Sequence, residues 1–156
     1  IGQRCGNGWR KVFNVYAKLV FALKSDLHPG LTKYQRWQQW RDDCLLRENS
    51  NSALLFSRPA FVGKQIEQDT DSANLADRDA VHLIMGKGWA KECLPEHFIS
   101  VDSPNWLNQD FAVIASQNII VCPYFDYRQL SDQKIIFLCD LIRTLLNQSQ
   151  PNKTAK

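Results

Sequence analysis

The chain is poor in groups that do covalent chemistry. Only three histidines occur in 156 residues: His28, His82 and His97. His28 precedes the helix-breaking pair Pro29-Gly30, His82 stands inside an apolar β-type run, and His97 follows Pro95-Glu96. No G-x-S-x-G elbow is present, so nucleophile chemistry of that kind has no sequence support. Phosphate signatures are missing as well. Gly86-Lys87-Gly88 follows a strand-like run, yet it is neither G-x-x-x-x-G-K-[ST] nor a dinucleotide fingerprint. The five cysteines (Cys5, Cys44, Cys93, Cys122 and Cys139) are odd in number and form no Cys-x-x-Cys pair. A zinc site lacks its usual signature, and no metal or other cofactor is expected. Widely spaced cysteines beside apolar segments fit a reduced, cytoplasmic chain.

Long apolar runs are absent too. Nothing approaches the roughly 20 residues that span a bilayer, so no membrane partner is expected. No secretory signal, internal repeat or low-complexity tract stands out. The chain opens on Ile1-Gly2 without an initiator Met, which fits a fragment or the loss of leading residues, with an N-terminal strand among what would then be missing.

What is present suits one domain of ordinary size, with 44% hydrophobic residues to fill a core. The net charge is only +3, but residues 1–50 carry nine Lys/Arg against four acids, a balance of +5. A basic segment of that kind attracts nucleic acid or another polyanion. Basic solvent faces on two amphipathic helices are the simpler and preferred explanation.

Periodicity supplies those helices. Trp9, Val12, Phe13, Tyr16, Leu19, Val20 and Leu23 fall on one broad face of a helix from about residue 7 to Lys24. His28-Pro29-Gly30 stops it. Thr32 is placed to cap a second helix to about Glu48, with Tyr34, Trp37, Trp40, Cys44 and Leu45 on one face. Such tryptophans serve as a stacking platform for bases or, more simply, as core.

Short apolar runs then predict strands at residues 53–56, 81–85, 98–101 and 119–122. Residues 63–79 are polar and acidic and read as a surface loop. A short helix is expected over 89–94. Phe111–Ala115 reads as a strand hairpinned to Ile119–Cys122 through Ser116-Gln117-Asn118, or as a helical turn. A last helix covers about 132–147, and residues 148–156 form a polar tail. Helices followed by unalternating strands predict a single α/β domain over 1–147. Its form is a three-layer arrangement with a mainly parallel central sheet flanked by helices.

In such sheets ligands sit beyond the C-terminal strand ends. That rim would collect Arg58, Lys87, Asp102 and the loop Tyr124-Phe125-Asp126-Tyr127-Arg128. Strand packing needs no such cluster. Tyr124 and Tyr127 can stack on a ring, Arg128 can hold a phosphate or carboxylate, and Asp126 can act as a base or position water. An Asp126–Arg128 brace with packed tyrosines is the structural alternative. The expected ligand-binding residues are Arg58, Lys87, Tyr124, Asp126 and Arg128.

Gly8-Trp9-Arg10-Lys11, Ile84-Met85-Gly86-Lys87 and the run from Ile120 to Ser131 together resemble a small family of uncharacterised gammaproteobacterial proteins. The resemblance covers most of the chain and implies a bacterial, cytoplasmic protein without implying an activity. A fainter similarity links Leu54 to Pro59, Leu83 to Lys87 and Cys122 to Ser131 with the strand-and-loop order of uracil-DNA glycosylases, α/β enzymes that flip a base into a pocket. That family has a His-Pro-Ser-type loop where this chain has Cys122-Pro123-Tyr124. It also has a water-activating acid where this chain has Ser57-Arg58-Pro59-Ala60. The expectation is therefore a small binding domain for an anionic or nucleotide-like ligand at the sheet rim. The alternatives are an enzyme acting on nucleic acid or nucleotides, and a protein-interaction module. The oligomeric state is left open by the sequence.

Overall fold

Val12, Val15 and Leu19 recur every three or four positions and are buried on one side of helix α1 (Asn7–Ala22), and Leu23 at its C-terminal cap is buried too. The computed structural model describes residues 6–23, 32–48, 50, 52–55, 80–94 and 103–148. Two compact units divide the chain: Ile1–Leu54 with Pro123–Arg143, and Leu55–Cys122 with Thr144–Lys156.

The first unit is helical. Beyond α1 it holds α2 (Trp37–Cys44) and most of α4 (Asp132–Gln148), which runs on past Arg143. Ala17, Val20, Trp40 and Leu45 form its buried cluster, with Phe13, Tyr16, Phe21, Tyr34, Trp37, Cys44 and Leu46 packed around them. Ala17 is the small residue that lets a helix approach the Trp40 indole, which is 1% exposed. Trp40 is therefore core and not a stacking platform. The second helix is shorter than expected. Arg36 is extended (φ −133°, ψ 141°), so the regular turns begin only at Trp37. Burial of the Tyr16 ring pushes its phenol above the ordinary value, opposed by a hydrogen bond with Ser52. Arg143 of α4 donates to the Ala22 carbonyl at 3.2 Å, satisfying one of the open carbonyls at the end of α1.

The second unit is the sheet, ordered β1-β4-β3-β2. Its strands are β1 (His82–Met85), β2 (Asn105–Trp106), β3 (Ala112–Ile114) and β4 (Ile119–Cys122). Helix α3 (Lys87–Cys93) follows β1 directly. Ala90, Cys93 and Leu94 pack with Ile84, Ala112, Ile114, Ile119 and Val121. All four β4 residues are buried, which fits the unalternating run Ile119-Ile120-Val121-Cys122.

The fold is α/β with a mixed sheet, and the mainly parallel expectation is corrected. Only β1 and β4 are parallel, with Ile84 opposite Val121, while β4–β3 and β3–β2 are antiparallel. Short turns cause this, because strands joined by a few residues must run back on one another. Asn118, at φ 53°, closes the turn between β3 and β4, so the hairpin reading of 111–122 is the correct one. Asn108 closes the turn between β2 and β3: its Oδ1 accepts the N–H groups of Asp110 at 2.8 Å and Phe111 at 3.0 Å.

Another correction concerns Ala53-Leu54-Leu55. These residues are not in a strand, and Leu55 is 46% exposed. A three- or four-residue apolar run pairs only if a neighbouring edge meets it. Phe56, the acidic 63–79 loop and the expected 98–101 strand lie outside the described residues.

Candidate functional site

The loop after β4 belongs to the first unit, and its shape follows from Asp126. The Asp126 N–H donates to the Tyr124 carbonyl at 2.7 Å, and its carbonyl accepts from Gln129 at 2.9 Å and Leu130 at 2.8 Å. Its Oδ1 accepts the Arg128 N–H at 2.9 Å. Four hydrogen bonds at one residue wind the chain into a tight turn. Phe125 and Leu130, at 3% and 1% exposure, anchor that turn inward. The Phe125 ring lies 6.0 Å from the Tyr16 ring of α1.

The outward side chains make the site. Tyr124 is 42% exposed and Tyr127 54%. Lys11 of α1 places its Nζ 3.6 Å from Asp126 Oδ2 and 5.2 Å from the centre of the Tyr127 ring. The Arg128 guanidinium lies 5.7 Å from the same ring. Two cations thus border one exposed phenol. The ring's negative face holds them at a distance suited to cation–π attraction, worth about 0.5–1 kcal/mol at exposed sites.

Asp126 is a poor candidate base. The Arg128 N–H bond first, and the Lys11 charge next, hold its carboxyl below the ordinary value despite some opposing desolvation. Both oxygens are occupied. The carboxylate braces the loop through the backbone of Arg128, leaving the guanidinium turned to Tyr127. Sequence reasoning missed Lys11 as a member of this loop. Its place at the third helical position after Gly8, on the basic side of α1, was the available signal.

The other expected site residues stand elsewhere. Lys87 is in the second unit, with its Nζ 4.7 Å from the Trp106 ring centre. Arg58 and Asp102 lie outside the described residues. Gly86 has φ 94° and ψ 135°, and its carbonyl accepts the Ala90 N–H at 2.9 Å, so Gly86-Lys87-Gly88 makes a sharp strand-to-helix turn.

Reactive groups near β4 are quiet. Cys122, buried beside β1, donates to the Ile84 carbonyl at 3.7 Å, and burial pushes its thiol up to about 12. It is not a thiolate at neutral pH. Desolvation also lowers the pKa of His82. Among the described residues, Cys44, Cys93, Cys122 and Cys139 are in no disulfide, and no group of three or more His, Cys, Asp or Glu could hold a metal ion. Among the same residues no helix is long and apolar enough to cross a membrane.

The chain belongs to DUF6942, a family of unknown function whose model matches residues 1–143. No curated protein and no solved structure matches it.

Proposed function

We propose that this member of DUF6942 is a binding protein for an anionic, ring-bearing ligand of the nucleotide type, held at the loop after β4. One observation carries the reading: Tyr127, more than half exposed, is bordered by Lys11 and Arg128 at 5.2 and 5.7 Å. A base stacking on the phenol, beside Tyr124, would bring its phosphate to both cations. Asp126 positions this apparatus and does not react. Arg58 and Lys87 were expected as anion contacts from the sequence, and the proposal for this loop does not depend on them.

The setting belongs to the same proposal. A bacterial origin rests on the sequence resemblance alone, and a cytoplasmic setting is supported by Cys44 and Cys122 standing outside any disulfide. A three-layer arrangement, with helices on both faces of the sheet, is supported by burial of Ile120 and Cys122 as well as Ile119 and Val121. Kinship with uracil-DNA glycosylases gains no support from the Cys122 thiol or the engaged Asp126 carboxylate.

Titration calorimetry with thymidine monophosphate at low salt tests the reading. Wild type should bind, and Tyr127→Ala and Lys11→Gln should each weaken binding about tenfold. Melting temperature should barely move, since Tyr127 is exposed and water screens the Lys11–Asp126 pair. Absence of any binding by wild type would end the proposal.

A further inference from the structure

A second aromatic ring in the first unit has the same dressing as Tyr127. Trp37, at the start of α2 and half-buried, has the Nζ of Lys18 6.0 Å from its ring centre and the Arg41 guanidinium 5.4 Å away. The two stations are joined by one stripe of α1. Lys11, Asn14 and Lys18 stand at i, i+3 and i+7, so they share a helix face. Asn14 accepts a hydrogen bond from Arg41 at 2.5 Å, tying the second station to the middle of the stripe.

The three cations of the two stations are each paired with a carboxylate. Lys11 pairs with Asp126 at 3.6 Å, Lys18 with Asp132 at 2.9 Å and Arg41 with Asp42 at 2.8 Å. The Asp42 and Asp132 carboxylates are 64% and 81% exposed. These two wet pairs contribute little to the fold, so a polyanion can take Lys18 and Arg41 over at small cost. Residues 1–50, which supply all three cations, carry a balance of +5 as a segment.

We infer that this face of the first unit binds single-stranded nucleic acid, with one base on Tyr127, another on Trp37, and phosphates exchanged for the carboxylates at Lys11, Lys18 and Arg41. The inference rests on the nucleotide reading of the Tyr127 station and extends it to a polymer. Lys11 and Lys18 are seven residues apart, about 10 Å along a helix. That distance takes in about three stacked nucleotides at 3.4 Å each. Two separate aromatic stations with a basic stripe between them suit flexible single strands, whose bases are free to stack on protein rings. A duplex hides those base faces.

Fluorescence anisotropy with labelled ten-residue oligo(dT), alongside calorimetry with thymidine monophosphate, tests it on the full chain. Oligo(dT) should bind at least about tenfold tighter than the monophosphate, through one additional stacked base and added phosphate contacts. Three phosphate contacts predict that log affinity falls with log salt with a slope of about −2. Lys18→Gln and Arg41→Gln should each shrink the preference for oligo(dT) over the monophosphate. Circular dichroism on the same samples should show an unchanged helical fold. Monophosphate binding with no gain for oligo(dT), or equal binding of a ten-base-pair duplex, would overturn the inference and leave the Tyr127 reading in place. Failure of both ligands to bind would overturn both.

Discussion

Lys11 and Asp126 meet at 3.6 Å, joining the N-terminal helix to the loop after β4 within one compact unit. Lys11 is 40% exposed at its side chain and Asp126 21%, so water screens the pair. Its importance lies in placement. The carboxylate keeps the Lys11 ammonium beside Tyr127 while the same residue's backbone winds the loop.

Asp126 should therefore carry a pH signature. Its folded pKa lies below the ordinary 3.8, so the charged form is favoured by the fold. A depressed carboxylate stabilises above its unfolded pKa, and that stabilisation is lost as pH falls through the folded value. The melting-temperature gap between wild type and Asp126→Asn should be constant from about pH 7 to 5 and should narrow below about pH 4. Thermal scans across that range give the comparison. A gap that widens on acidification would mean that the loop does not favour the charged carboxylate.

The turn between β3 and β4 makes a different demand. Asn118 sits at φ 53°, ψ 39°, and its carbonyl accepts the His82 N–H at 2.8 Å, fixing the start of the parallel pairing. Left-handed backbone costs an ordinary residue roughly 1–2 kcal/mol, and Asn tolerates it better than most. Asn118→Val should destabilise by about 1–2 kcal/mol in urea unfolding, and Asn118→Gly should stay within about 1 kcal/mol of wild type. Equal losses from both would show that the side chain matters more than the backbone angle.

These elements show which parts of the fold the sequence carries openly. The stripes of α1 and α4 were legible because one face of each is buried over several turns, as Ile135, Leu138, Cys139, Ile142 and Leu145 show. The β3–β4 hairpin was legible from Ser116-Gln117-Asn118. The strand β2 was not, because Asn105 and Trp106 are both exposed and leave no apolar pattern. Leu54-Leu55 misled for the opposite reason: an apolar pair carries no information about whether a strand edge is there to receive it. The loop from Tyr124 to Arg128 announced itself by polar groups after a buried strand. Its partner Lys11 did not, since ion pairs between distant segments have no local signature.

Thiol mapping checks the burial of the cysteines, each within its own unit. Cys122 is 1% exposed, Cys139 2% and Cys93 8%. With its thiol at about 12, Cys122 should stay unmodified by iodoacetamide at pH 8 in native protein and react once urea is added. Of the described cysteines, half-buried Cys44 should react first. Peptide mass spectrometry reads each site separately. Rapid native labelling of Cys122 would contradict the packing of β4 against β1.

The two glycines around Lys87 separate a backbone role from a ligand role. Gly86 has φ 94° and ψ 135°, a region nearly closed to residues with a Cβ, yet an added Cβ would meet no atom within 4 Å. The penalty there is conformational, so Gly86→Ala should destabilise by about 1–3 kcal/mol. Gly88 lies inside α3, and an added Cβ there also meets nothing within 4 Å. Alanine at that position removes freedom from the unfolded chain and suits the helix, so Gly88→Ala should stabilise by about 0.5–1 kcal/mol. Urea unfolding of the two variants thus predicts shifts of opposite sign. That result would assign Gly86 to the sharp strand-to-helix turn and leave Gly88 without a structural requirement. A Gly88→Ala variant that lost stability would mean that the Gly88 backbone, like that of Gly86, is held in a way the helix alone does not explain.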